Sequence, residues 1–278
     1  MAQAGKQRAE YQEKRSKRLP ELRSTAYDGQ FRIASLDEIL AFLVQQAGRA
    51  NRGIGLVPEI KHPTYFQSIG LPMEDTLLAA LRGNAYTNVG PVTIQSFETA
   101  NLKYLRTKTQ ARLVQLVDGD DYEFKTGAVT FAAPFDRPYD WTRAGKTELF
   151  GSMVTPAGLA EIAKYADGVG PWKPYIIPVK GTYGADGKMV DVNKDGAVNY
   201  MDTSSAQPTT LIADAHKLGL SVHTWTFRNE QRRLSADLKG DPQAEYLLFY
   251  RAGIDGLFSD CSDTAIAARN TYLKELGR

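Results

Sequence analysis

The sequence predicts an α/β fold, because six short apolar runs bounded by turn residues alternate with segments whose apolar positions recur at helical spacing. Parallel strands need a crossover between them, and a helix supplies it, so this rhythm implies a parallel sheet built from (β/α) units. A closed barrel of that kind takes eight strands and about 250 residues. The chain has 278 residues and shows six such strands, so the barrel is open or its first two strands lie elsewhere.

The elements follow in order. The first 23 residues contain Lys6, Arg8, Lys14, Arg15, Lys17, Arg18 and Arg23 with few apolar partners, and read as a solvated basic arm (1–23) without a core of its own. A nucleic-acid arm is the weaker reading, since basic tracts are more often solvated faces. Residues 24–278 are expected to form one barrel domain. Ser35 and Glu38 have capping-box spacing, and Leu36, Ile39, Leu40, Leu43 and Val44 follow at helical spacing, which gives a helix over 35–47. Strands are expected at 56–61, 92–97, 112–116, 168–172, 221–227 and 256–258. Helices are expected at 73–81, 99–107, 155–165, 208–218 and 245–252, with a last one from Asp263. The stretches 118–147 and 179–207, rich in Gly, Asp, Tyr and Pro, read as long loops, and loops of that length are more often functional than idle.

Composition removes several classes. With 42% hydrophobic and 24% charged residues the chain is neither disordered nor collagen-like. A net charge of +2 gives no global field for nucleic acid or an anionic membrane, so anion binding must be local. The single cysteine, Cys261, forms no internal disulfide, and the compartment stays open. No apolar run approaches eighteen residues, so neither a membrane span nor a signal peptide is expected.

Glu59 and Lys61 stand two apart in one strand, so their side chains share a face while Ile60 takes the other. They are either a structural ion pair or a site, since charges at the C-terminal ends of barrel strands lie where active sites are built. There, carboxylate oxygen suits a hard divalent cation and the ammonium suits a phosphate oxygen.

Glu59-Ile60-Lys61-His62-Pro63-Thr64-Tyr65-Phe66, Gln95-Ser96-Phe97-Glu98, Leu113-Val114-Gln115-Leu116 and Asp167-Gly168-Val169-Gly170-Pro171-Trp172-Lys173 form one collinear series. His223-Thr224-Trp225-Thr226-Phe227-Arg228-Asn229-Glu230 and Gly256-Leu257-Phe258-Ser259-Asp260 continue it. The series resembles the successive strand motifs of the long bacterial glycerophosphodiester phosphodiesterases, from about Leu19 to about Ala268. The resemblance implies an incomplete TIM-type (β/α) barrel, strands 3 to 8 of eight, that hydrolyses glycerophosphodiesters to sn-glycerol 3-phosphate and an alcohol. It also implies one divalent cation, calcium or magnesium. Glu59 then matches a metal ligand and Lys61 the phosphate-binding lysine that offsets developing charge. Trp225 matches an aromatic residue at the mouth near the glycerol moiety, or else a packed barrel residue. Arg228 follows as a polar contact. Gln95 reaches the site from the neighbouring strand, or else is a buried glutamine satisfied by backbone. Members of the family are often periplasmic or exported.

The sequence also departs from that pattern. The family's His-Arg-Gly strand, its Glu-x-Asp strand and its His-Asp segment are not found, and His62, His216 and His223 are the only histidines. One carboxylate holds a six-to-eight-coordinate cation poorly, and each missing proton-transfer group removes roughly 100- to 10,000-fold in rate. Low activity is therefore expected, with a truncated product, or a second chain supplying the absent strands, as the explanation. The alternative is a calcium-dependent phosphodiester-binding module without catalysis. His62, beside the site strand, is either a loop histidine or an acid/base group in a different hydrolase. His216 and His223 are expected to serve packing and hydrogen bonding.

A second signal is independent of the family. Residues 191–202 fit a twelve-residue calcium loop, with oxygen ligands Asp191, Asn193, Asp195 and Asp202 at positions 1, 3, 5 and 12, Gly196 at the turn and Val198 at position 8. No helix is expected before it, since 178–190 reads as coil. Such a loop would bind a second, structural calcium ion; the other reading is a polar surface loop.

Overall fold

In the computed structural model of the chain, residues 27–278 are described. The basic arm read at 1–23 lies outside them. The chain divides into two compact units, Met1–Asn51 and Arg52–Arg278. In the first, helix α1 (Leu36–Ala50) begins with the expected capping box: Ser35 Oγ accepts the Glu38 N–H, and Glu38 Oε2 accepts the Ser35 N–H at 2.8 Å. The helix runs past residue 47 until Asn51, in the left-handed region, closes it by donating to Ala47 and Gly48 carbonyls.

The second unit opens with an extended segment, 56–60, followed by α2 (Pro63–Ser68) and α3 (Glu74–Gly83). Then come β1 (Thr93–Ser96), α4 (Thr99–Arg106), β2 (Arg112–Val117), the short strands β3 (Asp121–Tyr122) and β4 (Val129–Thr130), α5 (Tyr139–Arg143) and α6 (Pro156–Ile162). The chain continues through β5 (Gly168–Pro171), β6 (Val179–Gly181), β7 (Thr203–Ser205), α7 (Leu211–Lys217), β8 (Ser221–Phe227), α8 (Pro242–Ala252), β9 (Gly256–Ser259) and α9 (Ser262–Glu275).

One parallel sheet runs β1-β2-β5-β8-β9. Its register is set by Gln95 opposite Val114, Leu116 opposite Gly170, Val169 opposite Val222 and His223 opposite Gly256. The 56–60 segment extends it beyond β1 through parallel bridges, Leu56 to Val92 and Glu59 to Gln95. Five of the six expected strands form this parallel sheet, and the sixth, expected at 56–61, is an extended segment joined to its edge by isolated bridges; a parallel sheet of this kind fits a TIM-type fold.

Alternation divides the sheet into two faces. Ile60, Ile94, Leu113, Gln115, Val169, Val222 and Thr224 are buried on one, where α4 packs on β1 and β2, α6 on β5 and α7 on β8. The two polar members are satisfied: Gln115 Nε2 donates to the Phe97 carbonyl and its Oε1 accepts from the Tyr165 hydroxyl, while Thr224 donates to the Pro171 carbonyl. The other face carries Glu59, Gln95, Val114, Leu116 and Gly170. Gly170 has no side chain because a Cβ there would meet Leu116 Cδ2 at 2.6 Å.

The two long stretches carry structure that hydrophobic periodicity cannot show. Residues 118–147 hold the antiparallel β3–β4 pair and α5, and 179–207 hold the antiparallel β6–β7 pair. The coil read at 178–190 thus begins with a strand, and a Tyr183–Met189 bridge follows. Strands of two or three residues are too short to display a period.

Leu113, the second residue of β2, is fully buried. Leu113→Ala is expected to lower unfolding stability by about 2–5 kcal/mol in urea denaturation, a cavity cost, with the sheet retained by circular dichroism.

Candidate active site

The pair read from the sequence meets in space. Lys61 Nζ stands 3.3 Å from Glu59 Oε1, and the two side chains are 53% and 30% exposed. They face each other in an open position, which the phosphodiesterase reading requires. Lys61 Nζ also lies 5.0 Å from the centre of the Phe97 ring, and Phe97 packs edge-on against Trp225 at 5.6 Å. One contact chain therefore runs from Glu59 through Lys61 and Phe97 to Trp225.

Trp225 fits its packed reading: its indole N–H donates to the Gly170 carbonyl at 2.7 Å, and its partly exposed ring packs on Phe97. Gln95 lies opposite Glu59 in the sheet and is buried. It is not satisfied by backbone, since its Oε1 is buried with no hydrogen-bond partner. Arg228 follows Phe227 and is mostly buried, held by Glu230 at 3.1 Å and by Asp260 at 3.5 Å. It therefore ties the β8 end to the β9 end.

Sequence reading missed Asp118, which follows β2 directly. Its Oδ1 accepts the Gly119 N–H at 2.9 Å. Burial pushes its carboxyl up to about 6; the Gly119 bond and Lys61 oppose that shift, and Asp120 and Glu59 add to it. Asp118 thus shares the electrostatic field of the Glu59–Lys61 pair. The register carries the signal: Val114 lies opposite Gln95, and alternation puts Leu116 and Asp118 on that same face.

Oxygen from Glu59, Gln95 and Asp118 fits a hard divalent cation in kind. Among the described residues, no group of three or more His, Cys, Asp or Glu side chains is placed to hold a metal ion. His216 Nε2 pairs with Asp255 at 2.8 Å, and His223 is partly buried, with its pKa lowered by burial, so both serve the scaffold.

The 191–202 segment forms a closed polar loop. Asp191 accepts the N–H groups of Asp195 and Gly196, Asn193 accepts that of Asp195, and Asp195 accepts that of Ala197. Gly196, at φ +86°, takes a conformation that a Cβ would strain. Asp202 is fully buried and accepts from Val192, Asn193 and Asn199. Asp191, Asn193 and Asp195 thus cluster on the exposed side, and Asp202 anchors the loop from within.

Comparison with known proteins adds an independent line. The model of the Glycerophosphoryl diester phosphodiesterase family matches residues 3–264. The chain is similar to glycerophosphodiester phosphodiesterase GDPD6 of Arabidopsis thaliana, 28% identical over 252 residues, covering 86% of this chain and 56% of the relative. It is also similar to the glycerophosphodiester phosphodiesterase of Haemophilus influenzae, 25% identical over 244 residues, covering 85% of this chain and 58% of the relative. The chain therefore spans little more than half the length of these curated relatives. A solved structure from Silicibacter pomeroyi DSS-3, assigned as a glycerophosphoryl diester phosphodiesterase, aligns at TM-score 0.46 and 18% identity over 87% of this chain and 56% of that one.

The raised Asp118 carboxyl has a direct consequence for stability. Between pH 3.8 and about 6 the folded chain holds a proton there that the unfolded chain releases, so stability falls as pH rises through that window. Asp118→Asn removes this penalty and is expected to raise unfolding stability by about 1–3 kcal/mol at pH 7 but not at pH 4, as urea titrations at the two pH values will show.

Proposed function

The chain belongs to the glycerophosphoryl diester phosphodiesterase family, and on that basis we propose that it acts on glycerophosphodiesters, releasing sn-glycerol 3-phosphate and an alcohol with the help of a divalent cation. The observation that carries this reading is the open Glu59–Lys61 pair at the end of a parallel strand, with an unpartnered Gln95 oxygen beside it.

The pair suits a site because it is easily re-partnered. An ion pair this exposed contributes about 0–1 kcal/mol, so a phosphate oxygen can draw the Lys61 ammonium away from Glu59 at little cost. Lys61 then binds the phosphate and offsets charge as it develops on the phosphoryl oxygens. Glu59 and Gln95 Oε1 would be the oxygen donors to a divalent cation, and calcium or magnesium bound there would supply Lewis-acid stabilisation of the phosphoryl oxygen. Trp225 offers an apolar wall to the glycerol moiety, and Arg228 keeps the adjoining rim in place.

Turnover by this chain alone is expected to be low, because the family's His-Arg-Gly, Glu-x-Asp and His-Asp elements are not among its 278 residues. That composition also favours a second reading, a calcium-dependent binding module that holds a phosphodiester without cleaving it. Both readings put a structural calcium ion at the 191–202 loop, with Asp191, Asn193 and Asp195 as its exposed donors; Asp202, the fourth position of the spacing, is buried and already accepts three backbone N–H groups, so it closes the loop instead. The loop's support is its ligand spacing and the gathering of three of those side chains on its exposed side.

Lys61→Ala is expected to weaken sn-glycerol 3-phosphate binding roughly 10- to 100-fold in calorimetry, the loss of one charge-assisted contact. Unchanged affinity removes Lys61 from the site. Glycerophosphocholine hydrolysis with calcium separates enzyme from binding module, since the module binds and releases no choline. Calcium titration is expected to find two sites, with Asp195→Ala losing the loop site alone and Glu59→Gln losing the cleft site alone.

A further inference from the structure

Glu98 follows Phe97 directly and is the N-cap residue of α4. Its side chain is 2% exposed, and its Oε2 accepts the Thr64 N–H at 3.1 Å. The other oxygen, Oε1, is fully buried and has no hydrogen-bond partner. A bare carboxylate oxygen in that position is costly, and native structures rarely leave one unmatched. His62 Nδ1 stands 4.0 Å from it, on a ring that is 59% exposed and sits edge-on to Tyr139. That separation is too long for a hydrogen bond, but a small rotation of an exposed ring closes it. Of the two partners the exposed ring has the freedom to turn, while Glu98 is enclosed and held by the Thr64 N–H.

Closing that gap fixes the chemistry of the imidazole. Nδ1 must carry the hydrogen that Glu98 Oε1 accepts, so Nε2 is left with its lone pair, directed away from Glu98. His62 is the residue after Lys61, and its pKa is lowered by burial first and by the Lys61 charge second, with Glu59 opposing. Glu98 in turn faces Asp140 and Glu74 across the α4 start, besides the Thr64 amide. A neutral ring one residue along from the lysine proposed to bind phosphate, and within reach of its charge, can accept a proton.

We propose that His62 and Glu98 form a proton-moving dyad, with His62 the catalytic base through Nε2 and Glu98 the positioning residue that fixes its tautomer. The proposal rests on the phosphodiesterase reading above and names the group through which this chain's own turnover passes. Nε2 takes one proton from the attacking water, whose oxygen forms the new P–O bond. The P–O bond to the alcohol breaks with its electron pair on the departing oxygen. That alkoxide takes a proton from solvent, and the imidazolium returns its proton to solvent. Water and diester become monoester and alcohol.

The test uses the full chain, glycerophosphocholine and calcium, with choline release followed long enough to measure a weak enzyme. His62→Gln, a change on an exposed side chain, is expected to lower kcat roughly 100-fold with little change in KM. Added imidazole is expected to restore part of the rate to His62→Gly. Glu98→Gln, nearly isosteric, is expected to lower kcat less. In long-range 15N NMR it should shift His62 away from the Nδ1–H tautomer that dominates the wild-type chain. A His62→Gln variant with wild-type kcat overturns the proposal, as does a wild-type His62 protonated on Nε2. A wild-type chain with no turnover but Lys61-dependent binding of sn-glycerol 3-phosphate also overturns the dyad, and leaves the binding site standing. Loss of both turnover and binding overturns the phosphodiesterase reading itself.

Discussion

The site depends on the pairing of the 56–60 segment with β1. Gln95 N–H donates to the Pro58 carbonyl at 2.9 Å and Ile60 N–H to the Gln95 carbonyl at 3.1 Å, and these bonds fix the register. In that register Glu59, Gln95 and Lys61 share the open face while Ile60 enters the core at 3% exposure. A slip of one residue would bury a carboxylate and an ammonium and expose an isoleucine. The hydrophobic requirement of Ile60 therefore aims the two charges of the candidate site.

Around that register the unit keeps charge at strand ends and apolar groups between sheet and helices. Asp118, Arg228 and Asp260 follow β2, β8 and β9, and Glu98 follows β1. Burial acts on these groups unequally: Asp118 and Glu98 are both pushed toward the protonated form, whereas Arg228 is held by two carboxylates. Such unequal environments are typical of functional sites, because each proton is then held with a different strength. Lys173 and Glu245 make a further, nearly buried pair, with Lys173 over the Phe227 ring at 5.5 Å. That pair lies outside the contact chain of the cleft and ties the β5 end to α8.

The insertion reaches the rim through aromatic contacts. Tyr200, at position 10 of the 191–202 loop, packs edge-on to Tyr122 at 5.7 Å, and Tyr122 meets Trp172 at 5.5 Å. Trp172 bridges Trp225 across the sheet. Order in the loop and order at the rim therefore share packed side chains.

The sequence by itself determined the strand and helix alternation, the six strand positions and the Glu59–Lys61 pair, because these rest on local periodicity and on the two-residue repeat of a strand. It placed Gln95, Trp225 and Arg228 near the site by resemblance, but their roles differ for reasons of packing. Gln95 has a bare oxygen, Trp225 is bonded to Gly170, and Arg228 is engaged by Glu230 and Asp260. Only the tertiary structure decided that Asp118 feels the charges of Glu59 and Lys61 and that Glu98 lies 4.0 Å from His62. Those residues are 59 and 36 positions from Glu59 and His62 respectively, counting 118 less 59 and 98 less 62, so no local pattern joins them. Parallel pairing makes them neighbours, and burial then sets how tightly each holds its proton.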